Sequence, residues 1–231
     1  MIDAQPWMIA MAAMLLTVAA YSLALWAYRR SGWSLLLPVL TGSAVVVAVL
    51  LGAGIPYGSY REGAKPLSWL AGPATVALAL PLYRQRGRLQ GIWWPVMGAL
   101  LAGSVTAVIS AMGIAWLLGG DWSLMMSLAP KSATMPVAMP VAESMGGSAP
   151  ISAVAVALTG ISAAVLAGGL LSLLKIRHDV VRGFALGASA HAIGTAQAFQ
   201  ISEAAVGFAA LAMGLNAIAT SVLVPLIGGL L

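Results

Sequence analysis

The chain has 231 residues, 61% of them hydrophobic and only 7% charged, with a formal net charge of +5. A soluble domain carries roughly 25% charged residues, so this composition excludes a water-soluble globule and makes lipid a large part of the solvent. The basic residues gather in short clusters between apolar stretches, as topology-setting charges do, and nucleic acid is not an expected partner.

The chain has no cysteine, which excludes a disulfide, a thiol nucleophile and a Cys-based metal site. A spanning helix takes about 20 apolar residues, so the length accommodates about six to eight crossings in one unit. Apolar segments fall at 7–28, 35–56, 67–83, 92–118, 123–142, 150–174, 183–200 and 205–230. The residues before the first segment include Asp3 and lack a basic region, so that segment is expected to be a transmembrane helix and not a cleaved signal. Arg29-Arg30-Ser31-Gly32, the 57–63 stretch, Arg84-Gln85-Arg86-Gly87-Arg88, and the 175–182 stretch with Lys175, Arg177, His178, Asp179 and Arg182 separate the segments.

The expected fold is an all-α integral membrane protein, a polytopic helical bundle with broken or re-entrant helices. It reads as a single transmembrane domain, 1–231. Within it lie an N-terminal helix pair (1–60), a first repeat (64–120), and a second repeat with the C-terminal helices (123–231). The repeat rests on an internal echo. Residues 74–82 resemble 133–141 at an offset of 59, with Ala74/Ala133, Thr75/Thr134, Ala79/Ala138 and Pro81/Pro140 identical. Gly87/Gly146 and Ile92/Ile151 match at the same offset. Such repeats build many transporters and can be inverted. Two topologies remain open. They exchange Arg29 and Arg30 against Arg61 and Lys65, and both put the 84–88 and 175–182 clusters in the cytoplasm by the positive-inside rule.

The 127–140 stretch is unlike the others. Pro130, Lys131, Pro136 and Pro140 fall close together, and each proline removes a backbone donor and clashes with the preceding turn. Irregular backbone survives at membrane depth only against protein or a water-filled cavity. The stretch therefore predicts a broken helix or a re-entrant hairpin. Lys131 needs an anion or a cavity there. With half-helix amides and the Ser132 and Thr134 hydroxyls it makes a carboxylate site; the alternative is a lysine that snorkels to the interface.

His191, Thr195 and Gln197 place polar groups in an apolar span. His191 can bond a substrate, relay a proton, or tie helices together. Glu143 is a possible carrier of a coupling proton, as is His191, or else a loop charge. Asn216 either bonds across helices or lines the site. Gly183 and Gly187 form a small-residue pattern for close helix packing. The sequence holds no HExxH, phosphate-binding loop or dinucleotide glycine fingerprint, and two histidines with no third ligand nearby make no metal site. An enzyme, a metal and a cofactor are not expected.

The stretches Gly72–Tyr83, Pro130–Met139, Ala190–Ala196 and Leu211–Asn216 resemble the LrgB/CidB family, and the resemblance runs over nearly the whole chain. Many relatives carry a second threonine where Ala133 stands. The resemblance implies a multi-pass protein of the bacterial inner (plasma) membrane. Some relatives are described as holin- or antiholin-like regulators of murein hydrolase export and autolysis, which act by oligomerisation with a small LrgA/CidA partner. Others resemble carriers of small monocarboxylates such as pyruvate, glycolate or glycerate. The lysine among prolines fits the carriers, with Lys131, Ser132, Thr134, His191, Thr195, Gln197 and Asn216 as substrate-binding residues. A homo-oligomer is expected.

Overall fold

The computed structural model describes residues 5–32 and 36–230, and all regular structure among them is helical. The chain divides into two compact units, Met1–Ala77 and Leu78–Leu231.

The first unit holds α1 (Gln5–Ser31), α2 (Pro38–Gly52), α3 (Tyr57–Gly63) and α4 (Lys65–Ala77). Ala, Leu and Met give α1 strong helix propensity, and Arg29 and Arg30 in its last turn complement the carbonyl end. Its Trp7–Ser31 stretch is long and apolar enough to cross a membrane. Proline opens α2, where its missing N–H costs nothing. At 15 residues α2 is about 22 Å long, short of a roughly 30 Å hydrocarbon core. It packs on α1 through Ala20, Val46 and Leu50. Tyr60 of α3 completes the contact: its hydroxyl donates to Thr17 Oγ1 at 2.8 Å, because the Thr17 hydrogen goes to the Ala13 carbonyl.

The apolar segment read at 67–83 is not one helix. It breaks at Leu78, between α4 and α5 (Ala79–Arg84). Pro81 explains the break, since it lacks the N–H for the Ala77 carbonyl and its ring collides with that group. The echoing stretches also differ in backbone. Thr75 lies within α4, whereas Thr134 is extended and precedes a helix.

The second unit continues with α6 (Arg86–Gly91), α7 (Trp93–Leu117), α8 (Trp122–Leu128), α9 (Met135–Ser144), α10 (Ala149–Leu173), α11 (Asp179–Ala198) and α12 (Glu203–Gly228). With 25, 25 and 26 residues, α7, α10 and α12 run about 38 Å and can each cross a bilayer. Together with α1 they make the chain a polytopic helical membrane protein.

Helices α8 and α9 form a re-entrant hairpin. Asp121 caps α8 by accepting from the Leu124 N–H at 2.8 Å. The chain unwinds over 129–134 and resumes as α9, with Pro136 in its first turn, where proline is tolerated. The base closes on itself. Trp122 Nε1, at the start of α8, donates to the Met145 carbonyl at 3.0 Å just past the end of α9; farther along, near the end of α8, Ser127 Oγ accepts from the Ser148 N–H at 2.7 Å and ties the hairpin to the start of α10. The start of α8 thus lies beside the end of α9, and the unwound residues form the tip.

The second hairpin lies inside α11, at a place the sequence marks as a crossing (183–200). His191 has φ 41° and ψ −124°, which no helix contains. Two contacts show the reversal. A Cβ on Gly194 would stand 2.1 Å from the Leu186 carbonyl oxygen, although eight residues of straight helix separate groups by about 12 Å. Gly183 and Gly187 abut Ala205 and Ala209 of α12 in the same order, so the first limb of α11 runs parallel to α12. Consecutive helices can run parallel only if the chain folds back between them, and residues 192–198 are that returning limb. The close approach of Gly183 and Gly187 to α12 is the small-residue packing their spacing implies.

The two hairpins have opposite orientations. The base of the first adjoins the start of α10, and the base of the second adjoins its end. Because α10 runs between the two bases, the hairpins enter the bundle from opposite ends and point at each other.

Candidate functional site

The tips meet about 10 Å along α10. Ala133, in the first tip, packs with Ala138 of α9 and Val156 of α10. His191, in the second tip, donates from Nε2 to the Val156 carbonyl at 3.0 Å, since a carbonyl can only accept. The ring sits over Gly160, where a Cβ would come within 2.5 Å of His191 Cε1. A backbone conformation such as that of His191 costs on the order of 1–3 kcal/mol in a non-glycine residue and persists only where its surroundings hold it. Here the Val156 bond, the space over Gly160 and the Thr195 hydroxyl, which donates to the His191 carbonyl at 2.9 Å, hold it.

Asn216, near the middle of α12, clasps the two tips. Its Nδ2 donates to the Ser132 carbonyl at 2.8 Å and to the Ala188 carbonyl at 3.2 Å, one from each hairpin. Its Oδ1 accepts from the Ser104 hydroxyl of α7 at 2.6 Å. Every donor of the amide is therefore used by protein, at 2% exposure. Asn216→Leu leaves two carbonyls and a hydroxyl without their partner. It is expected to lower stability by about 1–3 kcal/mol, read as a fall in the thermal midpoint of the purified protein. An unchanged midpoint would contradict the clasp.

The other expected site residues divide into two groups. Lys131, Ser132 and Thr134 stand together at the first tip. The Lys131 ammonium has no ion-pair or hydrogen-bond partner among the described residues, and neither hydroxyl makes a hydrogen bond there. Lys131 is half-buried and Ser132 buried. The ten-residue α9 begins just after them and turns its positive end towards the tip. His191 and Thr195 are buried at the second tip and bonded to protein; Thr195 also approaches Met213 Sδ at 3.8 Å. Gln197 lies farther down the returning limb, with its Oε1 buried and unpartnered. Glu143 is exposed in the last turn of α9, at the hairpin base and away from the tips.

Sequence reasoning passed over Ser104, Gly160 and the carbonyls of Val156 and Ala188. A serine and a glycine in the middle of apolar segments were the available signals. Backbone acceptors leave none. No group of three His, Cys, Asp or Glu side chains that could hold a metal occurs among the described residues.

The class is thus a polytopic helical membrane protein whose two re-entrant hairpins approach from opposite ends and meet at a buried polar clasp. A profile of the LrgB-like family matches residues 17–230, and the chain belongs to that family. It is 38% identical over 219 residues to the uncharacterized protein YxaC of Bacillus subtilis (strain 168), covering 95% of each chain. It is 29% identical over 211 residues to the antiholin-like protein LrgB of Bacillus cereus (strain B4264), covering 91% of this chain and 92% of the relative. A relative of the same name in Bacillus anthracis (strain CDC 684 / NRRL 3495) shows the same identity. No solved structure matches the chain.

Proposed function

We propose that the protein is a secondary transporter of small 2-oxo or 2-hydroxy monocarboxylates, of the pyruvate, glycolate or glycerate type. The observation that carries this reading is the unpartnered Lys131 ammonium at the tip of a re-entrant hairpin. A cation at membrane depth costs about 2.5–3.5 kcal/mol on insertion scales, and nothing in the described protein offsets it. A carboxylate would do so, with the Ser132 and Thr134 hydroxyls as further donors. Opposed hairpins supply two thin barriers, one on each side of the site. Alternating access then needs only one hairpin or bundle to move against the other. His191 contributes through the second tip. Its Nδ1 has no hydrogen-bond partner among the described residues and can accept a hydrogen bond while Nε2 holds Val156.

The basic residues of the second unit support an orientation. Arg84 bonds Glu203 at 2.7 Å, so the 84–88 cluster lies at the same end of the bundle as the 175–182 cluster. The opposite end carries Asp121 and Glu143. By the positive-inside rule the end with the basic clusters faces the cytoplasm of a bacterial inner membrane, and the second hairpin enters from it. The reading includes no catalysis and no cofactor.

The rival reading takes the relatives' antiholin-like name at its word: a regulator of murein hydrolase export acting by oligomerisation, with a small LrgA/CidA-like partner. One experiment separates them. Proteoliposomes of the purified chain alone are offered labelled pyruvate, glycolate, glycerate and acetate, with a trapped dye as leak control. The transporter gives saturable, competable uptake with the dye retained. Dye release without saturation, or no flux without a second chain, would reject it.

A further inference from the structure

Three buried hydroxyls make no hydrogen bond among the described residues: Ser132 at 8% exposure, Ser152 at 0% and Thr220 at 2%. The other buried polar side chains, Ser104, Ser127, His191, Thr195 and Asn216, are all bonded to protein. The three unbonded ones converge on the unwound turn of the first hairpin. On α10, Ser152 stands one turn, about 6 Å, from Ser148 on one side and from Val156 on the other. Ser148 is tied to Ser127 and Val156 packs on Ala133, so Ser152 faces the chain between those two residues. On α12, Thr220 stands one turn from Asn216 and one from Val224. Asn216 holds the Ser132 carbonyl, Val224 clusters with Met126 and Ala129, and Gly228, a turn farther, meets Met126, Met145 and Trp122. Thr220 therefore faces the chain between Ala129 and Ser132. Two helices thus bring a buried hydroxyl to the one turn that carries the Ser132 hydroxyl.

The same turn has carbonyls in excess. Pro130 has no N–H for the Met126 carbonyl, the Lys131 N–H goes to Leu128, and the Ala133 N–H goes to Pro130. The carbonyls of Met126, Ser127 and Ala129 are left without the donor that a continuing helix would supply, and all three residues are buried. We propose that this turn is a sodium site, with these carbonyls and the hydroxyls of Ser132, Ser152 and Thr220 as its oxygen ligands, and that the ion couples to the transported acid. Unwound carbonyls at the end of a half-helix are what broken membrane helices offer sodium. The hydroxyls could have bonded a carbonyl four residues back, as Ser127 does; none does, so hydroxyl and carbonyl lone pairs are open to one cation. A second carboxylate does not suit this set, because it needs donors and carbonyls supply none. Divalent cations take carboxylate oxygens, and Asp121 and Glu143 lie at the hairpin base instead. Lys131 belongs to the turn, and its ammonium repels a second cation until a carboxylate neutralises it. Acid and sodium therefore bind better together than apart, each raising the affinity for the other by the same factor. The ion site stands on the hydroxyls and carbonyls; its coupling to uptake rests on the transport reading.

The test measures binding of radioactive sodium to the purified full-length chain, with lithium as competitor and choline as the inert control. Uptake of labelled pyruvate and glycolate into proteoliposomes is then compared in sodium and in choline. Saturable sodium binding is expected, tightened by pyruvate or glycolate, with uptake about tenfold or more faster in sodium. Ser152→Ala and Thr220→Val each weaken sodium binding about tenfold or more, the loss of one contact to a charge. Thr220→Ser keeps the hydroxyl and the binding. All three variants melt no lower than wild type in sodium-free buffer, because the hydroxyls bond nothing there. Lys131→Ala still binds sodium but no longer responds to acid. Absence of saturable sodium binding overturns the site, and so does binding that Ser152→Ala and Thr220→Val together leave unchanged. A lower melting point for Ser152→Ala and Thr220→Val without sodium makes the hydroxyls structural and overturns it as well. Uptake that runs equally well in choline overturns the coupling while the transport reading stands. No uptake with any cation, beside sodium binding that the variants weaken, defeats the transport reading and leaves the ion site.

Discussion

Lys131→Ala is expected to abolish saturable uptake of labelled pyruvate and glycolate, a loss of about a hundredfold or more, in protein that still purifies as a folded species. The size follows from what is removed. A hydrogen bond to a charged group contributes about 1.5–3 kcal/mol, and three kcal/mol is roughly a hundredfold in affinity. The fold survives because the side chain of Lys131 bonds nothing else among the described residues. The tip is held by the Ser132 carbonyl on Asn216 and by Ala133 against Val156. Lys131→Arg keeps the charge and should retain part of the uptake. Full activity in the alanine variant would reject the carboxylate site.

Gly187→Leu should be the most damaging single substitution for stability. A Cβ at this position would stand 2.0 Å from the Ala209 carbonyl oxygen, and at Gly183 it would stand 2.2 Å from that of Ala205. Ordinary carbon–oxygen contacts begin near about 3.3 Å. The first limb of α11 would have to move off α12 by more than an ångström, and the obstacle is backbone, which cannot rotate away. Overpacking a well-filled interior costs about 1–3 kcal/mol even where side chains can adjust. The expected outcome is a protein that aggregates or melts well below wild type, with Gly187→Ala intermediate. A leucine variant with wild-type thermal stability would contradict the parallel packing of α11 on α12, and with it the second hairpin.

The two hairpins were unequally legible in the sequence. Pro130 and Pro136 bracket the first break, and proline acts through local chemistry that any reader of the chain can apply. The second break turns on one histidine with a positive φ, which has no composition signature. Its apolar flanks, 183–190 and 192–198, read as one span because each limb is helical on its own. What forces the reversal is tertiary: the carbonyl of Val156, the missing side chain of Gly160 and the carbonyls of α12 against Gly183 and Gly187. The break at Leu78 was visible in Pro81 but lay inside an apolar run long enough to pass for a crossing. Lys131, His191 and Asn216 stood out as polar groups in apolar surroundings. The bonds of Asn216, which span 28 to 112 residues in sequence, were beyond any local pattern.

The architecture depends on the hairpins entering from opposite faces of the membrane, and the absence of native cysteine makes that measurable. Glu143→Cys marks the base of the first hairpin, and His178→Cys marks the base of the second; both positions are exposed. A membrane-impermeant maleimide added to intact cells should label Glu143→Cys and leave His178→Cys unlabelled until the membrane is opened. Labelling of both positions from the same side would contradict the opposed hairpins.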